Sequence, residues 1–211
     1  MTAELVRGQN HPLSRVRLEI RISAGVPVLA GATLGDERGI VRGPQWVAHP
    51  GTPALPGVEV SRQAAAEHRL AVDLAALPEA VHRLGVFLAL PTGTTGSLRF
   101  GAAPAPHTTV SGPDGTELVS YTLTGLDAEA AVTAVELYRR QGVWKVRVMG
   151  QGHAGGLPAL LADQGLSAAD DLAARCSRGW PELCPSMSKG PLSSHFGSIF
   201  TLLFTIPWSL R

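Results

Sequence analysis

The clearest alternation of apolar and polar residues in the chain runs from Arg15 to Ile22. Charged residues occupy every second position, and apolar residues occupy the positions between them. A two-residue period predicts a β-strand with one face on a core and the other in water. The apolar set is Val16, Leu18, Ile20 and Ile22.

Short apolar or alternating segments recur through the rest of the sequence, separated by residues typical of turns. Gln141-Gly142 lies between the last two segments and predicts a tight hairpin turn, because glycine tolerates positive φ. Many short strands at close intervals predict an all-β fold, specifically a sandwich of antiparallel strands. The segments are 26–34 (interrupted by glycine), 69–74, 83–90, 97–100, 107–110, 117–123, 133–138 and 143–149.

The chain changes character after the last predicted strand. Leu157, Leu160 and Leu161 have helical spacing and predict one short helix, which closes a domain of residues 1–166. Residues 167–211 are predicted to be an irregular, partly disordered extension, although 168–174 could be helical. Within it, residues 196–206 form a short amphipathic segment, too short to cross a bilayer. The extension is interpreted as a flap or a disordered tail, with docking to a membrane surface or a partner as the alternative.

Composition and charge narrow the classes of function. Eighteen basic and seventeen acidic residues give a net charge of +1, which argues against a nucleic-acid binder. The N-terminus lacks an apolar signal-peptide core, which predicts a cytoplasmic protein. Cys176 and Cys184 therefore predict neither a structural disulfide nor, without clustered histidines, a zinc site.

One glycine-rich segment matches a nucleotide-binding pattern. Gly150 to Gly155 reads G-x-G-x-x-G, and Asp170 and Asp171 follow about twenty residues later, where a dinucleotide site places its acidic residue. A dinucleotide fold also needs a parallel strand after the helix, and no such strand is predicted. A nucleotide or phosphate ligand bound at residues 150–155 is kept as the alternative function.

A longer motif surrounds these glycines. The segment from Glu136 to Leu157, ELYRRQGVWKVRVMGQGHAGGL, resembles the C-terminal signature of the TerD family of bacterial tellurium-resistance and stress proteins. Leu5 to Leu13, LVRGQNHPL, is similar to the opening of that family. The resemblance extends from about residue 3 to about residue 166 and implies a β-sandwich.

The resemblance also implies calcium binding through aspartates in two loops, and this chain departs from that pattern. The first pair of aspartate positions falls on Pro27 and Leu29, neither of which offers a side-chain oxygen. The second acidic loop corresponds to residues 65–68, where only Glu67 retains a carboxylate. A tyrosine-asparagine pair of the family falls near Ala48-His49. Because calcium requires six to eight oxygen ligands, the site is predicted to be degenerate, with no metal or other cofactor.

Enzyme motifs are also missing from the sequence. The seven histidines are spread singly, and neither a G-x-S-x-G elbow nor a P-loop occurs. The sequence therefore predicts no catalytic residues. It predicts a non-catalytic TerD-family protein linked to tellurium resistance and stress, acting as a binding or scaffold domain. Other TerD-family proteins are the expected partners, and nucleic acid is not.

Overall fold

The computed structural model describes residues 3–91 and 98–177, and within them the chain forms twelve strands in one sheet. Two helices follow the last strand, and 3-10 turns occupy Pro44–Trp46 and Phe100–Ala102. The strands are β1 (Ala3–Glu4), β2 (Asn10–Pro12), β3 (Arg17–Gly35), β4 (Val47–Ala48), β5 (Ala54–Leu55), β6 (Val58–Glu59), β7 (Ala65–Asp73), β8 (Arg83–Ala89), β9 (His107–Ser111), β10 (Glu117–Thr122), β11 (Ala131–Arg140) and β12 (Val143–His153). The helices are α1 (Gly156–Asp163) and α2 (Ala169–Ser177).

Strand β3 is long enough to belong to both layers of the sandwich. The first layer contains β1, β5, β6, β7, β9 and β10, and the second layer contains β2, β4, β8, β11 and β12. Its first part pairs with β7 and β9, and its second part, from Leu29 to Gly35, pairs with β8. The register against β7 shifts between Ser23 and Val28, and Gly25 in this interval has φ of +68°. The segments 15–22 and 26–34, predicted separately, therefore belong to one strand that bends near Gly25. The alternation also begins later than predicted, because Val16 precedes the strand and is 55% exposed.

The main path of the sheet runs β1-β10-β9-β3-β8-β11-β12-β2, and all pairs on it are antiparallel except β1 with β10. The N-terminal segment supplies both end strands, because β1 pairs with β10 and β2 pairs with β12. The sheet is therefore nearly closed, and the all-β, sandwich-like prediction is confirmed. Its interior is filled by one large apolar cluster that includes Ile20, Leu70 and Leu137.

Of two local predictions, one needs correction and one is confirmed. The strand expected at residues 97–100 is not found at its described end, where Phe100 begins a 3-10 turn; Ser97 lies outside the described residues. The turn predicted at Gln141-Gly142 is confirmed, with φ of 53° and 77° at the two residues.

A second apolar cluster lies between the outer face of this layer and the two helices. Leu160 and Leu161 of α1 and Leu172 of α2 are each at most 1% exposed, and they pack with Phe87 of β8. Cys176, predicted to be irregular, is buried within α2. The packed domain therefore continues past the predicted boundary at residue 166. Cys184 and the amphipathic segment 196–206 lie outside the described residues.

Across residues 3–91 and 98–177, neither helix is long and apolar enough to cross a membrane.

The packing of α2 leads to a stability prediction. Leu172→Ala should lower the free energy of unfolding by about 2–4 kcal/mol, because it opens a cavity beneath a fully buried side chain. Urea unfolding followed by circular dichroism measures the change. The same exchange at Leu98, which is 48% exposed, should cost less than about 0.5 kcal/mol. Equal effects at the two leucines would show that α2 does not pack as described.

Candidate functional site

The two segments that the resemblance marks as calcium loops are neighbours in the structure. Strand pairing places Val28 of β3 opposite Ala65 of β7, and Ser23 opposite Glu67. Val28 is fully buried in the main core, and the side chain of Leu29 belongs to the second cluster beneath the helices. The backbone has brought the two loops together, but apolar side chains occupy the positions expected to hold aspartates.

A buried histidine lies where these segments meet. The Nε2 atom of His68 lies 2.9 Å from the carbonyl oxygen of Val28 and 3.0 Å from that of Ala65. Because both partners are acceptors, Nε2 must carry the proton and donate to them. Nδ1 is then an acceptor, and it is buried without a partner. The imidazole therefore ties together the backbones of the two loops.

Burial lowers the pKa of His68, and the two backbone hydrogen bonds and the charge of Glu67 oppose this effect only partly. The neutral form is therefore favoured in the folded protein. The carboxylate of Glu67 accepts a 2.6 Å hydrogen bond from the hydroxyl of Ser23. Within the part of the chain that the structure describes, no group of three His, Cys, Asp or Glu side chains could hold a metal ion.

His49, next to the position expected for the family's asparagine, is also buried. Its Nδ1 accepts a hydrogen bond of 3.2 Å from the backbone N–H of Gly51. Burial, followed by the charge of Arg175 on α2, lowers the pKa of His49. This histidine thus organises a turn beneath the helices.

The glycine-rich segment is not a phosphate loop. Gly150 to Gly152 belong to β12, and residues 151–153 pair with residues 131–133 of β11 across a bulge. The side chain of Glu129 covers Gly152, where a Cβ atom would fall within its atoms. Residues 151–153 are thus paired within the sheet, and Gly152 is covered. The glycine-rich loop expected for a nucleotide or phosphate site at residues 150–155 is not formed at Gly150 to Gly152, because β12 continues to His153.

Polar side chains from the same motif gather on the part of the outer face that the helices leave uncovered. Glu136 of β11 is only 8% exposed, and its carboxylate lies between two guanidinium groups. Arg147 Nη2 donates to Glu136 Oε2 at 2.5 Å, and Arg83 Nη1 lies 3.5 Å from Oε1. One buried carboxylate therefore orients two arginines from the flanking strands.

Aromatic rings hold the arginines of the hairpin. The guanidinium carbon of Arg147 lies 5.3 Å from the centroid of the Tyr138 ring. Arg139 lies similarly over Trp144, at 5.1 Å. Contacts of this kind fix the plane and direction of a guanidinium group.

An open cleft of about 390 Å³ lies beside these groups, and we call it the arginine cleft. Four arginines contribute to its wall, whereas Glu37 is the single carboxylate among the residues that line it. The remaining lining comes from the end of the β11–β12 hairpin and from the residue preceding β8. The lining residues are Glu37, His82, Arg83, Tyr138, Arg139, Arg140, Gln141, Gly142 and Arg147.

Sequence reasoning recognised the motif but missed the cleft. The hairpin turn at Gln141-Gly142 fixes a register that places Glu136 directly opposite Arg147. Opposite charges at facing positions form a cross-strand pair. That signal was present in the sequence once the turn was placed.

The fold, the contact of His68 with the two loops and the arginine cleft together define a small antiparallel β-sandwich protein with helices covering part of one face. The sequence model of the family described as "TerD domain" matches residues 56–163, slightly more than half of the chain. The chain therefore belongs to the TerD family.

Several curated proteins similar to this chain are named as resistance or stress proteins. The tellurium resistance protein TerD of Serratia marcescens is 32% identical over 104 residues, which are 48% of this chain and 54% of that protein. General stress protein 16U of Bacillus subtilis is 28% identical over 102 residues, 47% of this chain and 53% of the relative. Chemical-damaging agent resistance protein B of Clostridium acetobutylicum is 29% identical over 103 residues, which are 48% of this chain and 74% of that protein. The chain thus spans about half the length of the first two.

Solved structures agree on the fold. A homologue of the telluride resistance protein TerD from Streptomyces coelicolor superposes with a TM-score of 0.53 at 16% identity, covering 66% of this chain and 91% of that one. A protein of unknown function gives a TM-score of 0.56 at 13% identity, covering 67% and 92%. These similarities concern the fold alone.

The environment of His68 predicts a pH dependence of stability. Its folded pKa is lower than the ordinary value of 6.5, so the unfolded chain binds the proton more readily. The stability that this difference contributes is present above pH 6.5 and is lost as the pH falls towards the folded pKa. His68→Gln keeps an N–H donor but cannot titrate. The variant should lose less stability between pH 7.5 and 5.5, by at most about 1.4 kcal/mol per pH unit.

Urea unfolding at the two pH values tests this prediction. His107→Gln, at an exposed histidine of β9, controls for the general effect of removing an imidazole. The same loss of stability in the parent and in His68→Gln would contradict the assignment.

The carboxylate between the two arginines leads to a second stability prediction. Glu136→Gln should lower the free energy of unfolding by about 1–2 kcal/mol, because two guanidinium groups lose their shared counter-charge. The effect stays moderate because water reaches Arg83 and Arg147, which are 39% and 35% exposed. Glu79→Gln, at an exposed site, is the matched control and should change stability by less than about 0.5 kcal/mol. An unfolding curve for Glu136→Gln that overlays the parent would refute the role of the carboxylate.

Proposed function

We propose that this protein is a non-catalytic, calcium-independent member of the TerD family that acts in tellurium resistance and the general stress response. It serves as a binding or scaffold domain. The resistance and stress roles rest on the family membership and on the names of the relatives. The binding role and the independence from calcium are proposals about this chain.

The observation that supports calcium independence best is the contact of His68 with the two loops. A calcium ion at this place would draw carbonyl and carboxylate oxygens of both loops towards itself. Here the imidazole N–H already occupies the carbonyl oxygens of Val28 and Ala65. A neutral side chain thus replaces a cation as the link between β3 and β7, which lets the loops stay together without metal.

The chemistry of the described residues supports a non-catalytic role. Burial raises the pKa of the Cys176 thiol to about 12, which keeps it protonated and unreactive. Burial lowers the pKa values of His49 and His68, and these rings bond to the backbone. These side chains therefore serve the structure.

The proposal includes a place and partners for the protein. A cytoplasmic protein that lacks calcium ligands could bind other TerD-family proteins that retain them, in complexes where only some members respond to calcium. The net charge of +1 favours protein partners over nucleic acid.

Calcium titration of the full chain by calorimetry tests the proposal. We expect no saturable heat up to millimolar calcium, and a thermal unfolding midpoint that is the same within about 1 °C with calcium or with chelator, because a ligand stabilises only the state that binds it. A family member with aspartates in both loops is the positive control. Saturable binding at micromolar calcium, with a raised midpoint, would refute calcium independence.

A further inference from the structure

We infer that the arginine cleft is a binding site for a small oxyanion, either free or as the phosphate group of a small molecule. The cleft lies at the hairpin end of β11 and β12, away from the glycines of residues 150–155 and from the loops joined by His68. The inferred oxyanion binding does not depend on the proposed lack of calcium binding.

The arginines of the cleft have donors to spare. A guanidinium group carries five N–H donors in a planar fork that matches two oxygens of an oxyanion. The contact of Arg147 with Glu136 uses Nη2, whereas its Nε is buried without a hydrogen-bond partner. Arg140 is exposed, and it makes no ion pair within residues 3–91 and 98–177. The exposed guanidinium group of Arg140 is therefore available to a ligand.

The geometry also holds the arginines in place before any ligand arrives. Glu136 anchors Arg83 and Arg147 from below, and the Tyr138 ring lies against the Arg147 guanidinium. Because the side chains are already ordered, a ligand loses less binding free energy in ordering them. One buried carboxylate that orders two arginines, beside an exposed arginine without an ion pair, is an arrangement suited to binding an anion.

The local charge favours an anion although the whole chain is almost neutral. Four arginines line the cleft against Glu37 at its wall and Glu136 beneath it. The balance is therefore two positive charges, with histidine neutral, compared with +1 for all 211 residues. The charge is concentrated at one concave place, where it raises the local concentration of anions.

The volume indicates the size of the ligand. About 390 Å³ exceeds the space of one inorganic ion and falls within the range of small-molecule sites. The recognising chemistry is the same for a free oxyanion and for a phosphate group on a larger molecule. The two sources can be distinguished by experiment.

The test is calorimetric titration of the full chain at low ionic strength, in thiol-free buffer. The probes are inorganic phosphate, tellurite and adenosine monophosphate, and chloride is the control for a simple monovalent anion. We expect saturable binding of at least one oxyanion probe, with a dissociation constant of about 0.1–1 mM, that weakens as salt is added.

Two variants locate the site. Arg140→Gln removes an unpaired arginine without touching Glu136, and it should weaken binding about five- to tenfold. Arg62→Gln removes the same charge from an exposed position outside the cleft, and it should leave the dissociation constant within about twofold, as a distant surface charge does. Unfolding curves of both variants confirm that the domain is intact.

Each outcome of the titration either identifies the ligand or overturns the proposed site. Tighter binding of adenosine monophosphate than of phosphate identifies a phosphorylated small molecule as the ligand, and equal binding identifies the free oxyanion. Preferential binding of tellurite would connect the cleft to the proposed role in tellurium resistance. Only this interpretation of the result rests on the proposed function. No saturable binding of any oxyanion probe, or equal weakening by Arg140→Gln and Arg62→Gln, would overturn the site, whatever the calcium titration shows.

Discussion

The pairing of β3 with different strands before and after its bend is the constraint on which the rest of the structure depends. From Arg17 to Gly35 this strand gives hydrogen bonds first to β7 and β9 and then to β8. A buried backbone must satisfy its polar groups, so the parts of the strand on each side of the bend both need partner strands. The bend near Gly25 interrupts the pairing after Ser23, and the pairing resumes at Val28. The N-terminal segment then joins β10 to β12 and brings the sheet close to closure.

This bend creates the place where the two loops meet. The register between β3 and β7 shifts there, and the carbonyl oxygens of Val28 and Ala65 converge on one point. Converging carbonyl groups need a donor or a cation, because their dipoles repel each other. His68 supplies the donor, and Leu29 turns to the helices. The side chains carried here thus make this meeting point part of the apolar core, with one histidine as the hydrogen-bond donor.

The outer face of the second layer divides into an apolar part and a charged part. The apolar part, around Phe87, is covered by α1 and α2, and the charged part, around Glu136, remains open. The family motif contributes to both, because its last residues, Gly156 and Leu157, begin α1 and its charged residues lie in the hairpin. The helices and the cleft are thus adjacent products of one sequence segment. The open part is where the chain can meet a ligand without disturbing its core.

The sequence by itself determined the elements whose signal is local. The alternation around Ile20, the turn at Gln141-Gly142 and the leucines of α1 follow from periods and from the φ angles that glycine allows. The family motif carried the fold class as well. Only the tertiary structure decided what depends on contacts between distant residues. It joined the two halves of β3, extended β12 through its glycines and buried α2. It also placed His68 against Val28, forty positions away in the chain, because pairing partners and burial depend on the whole sheet.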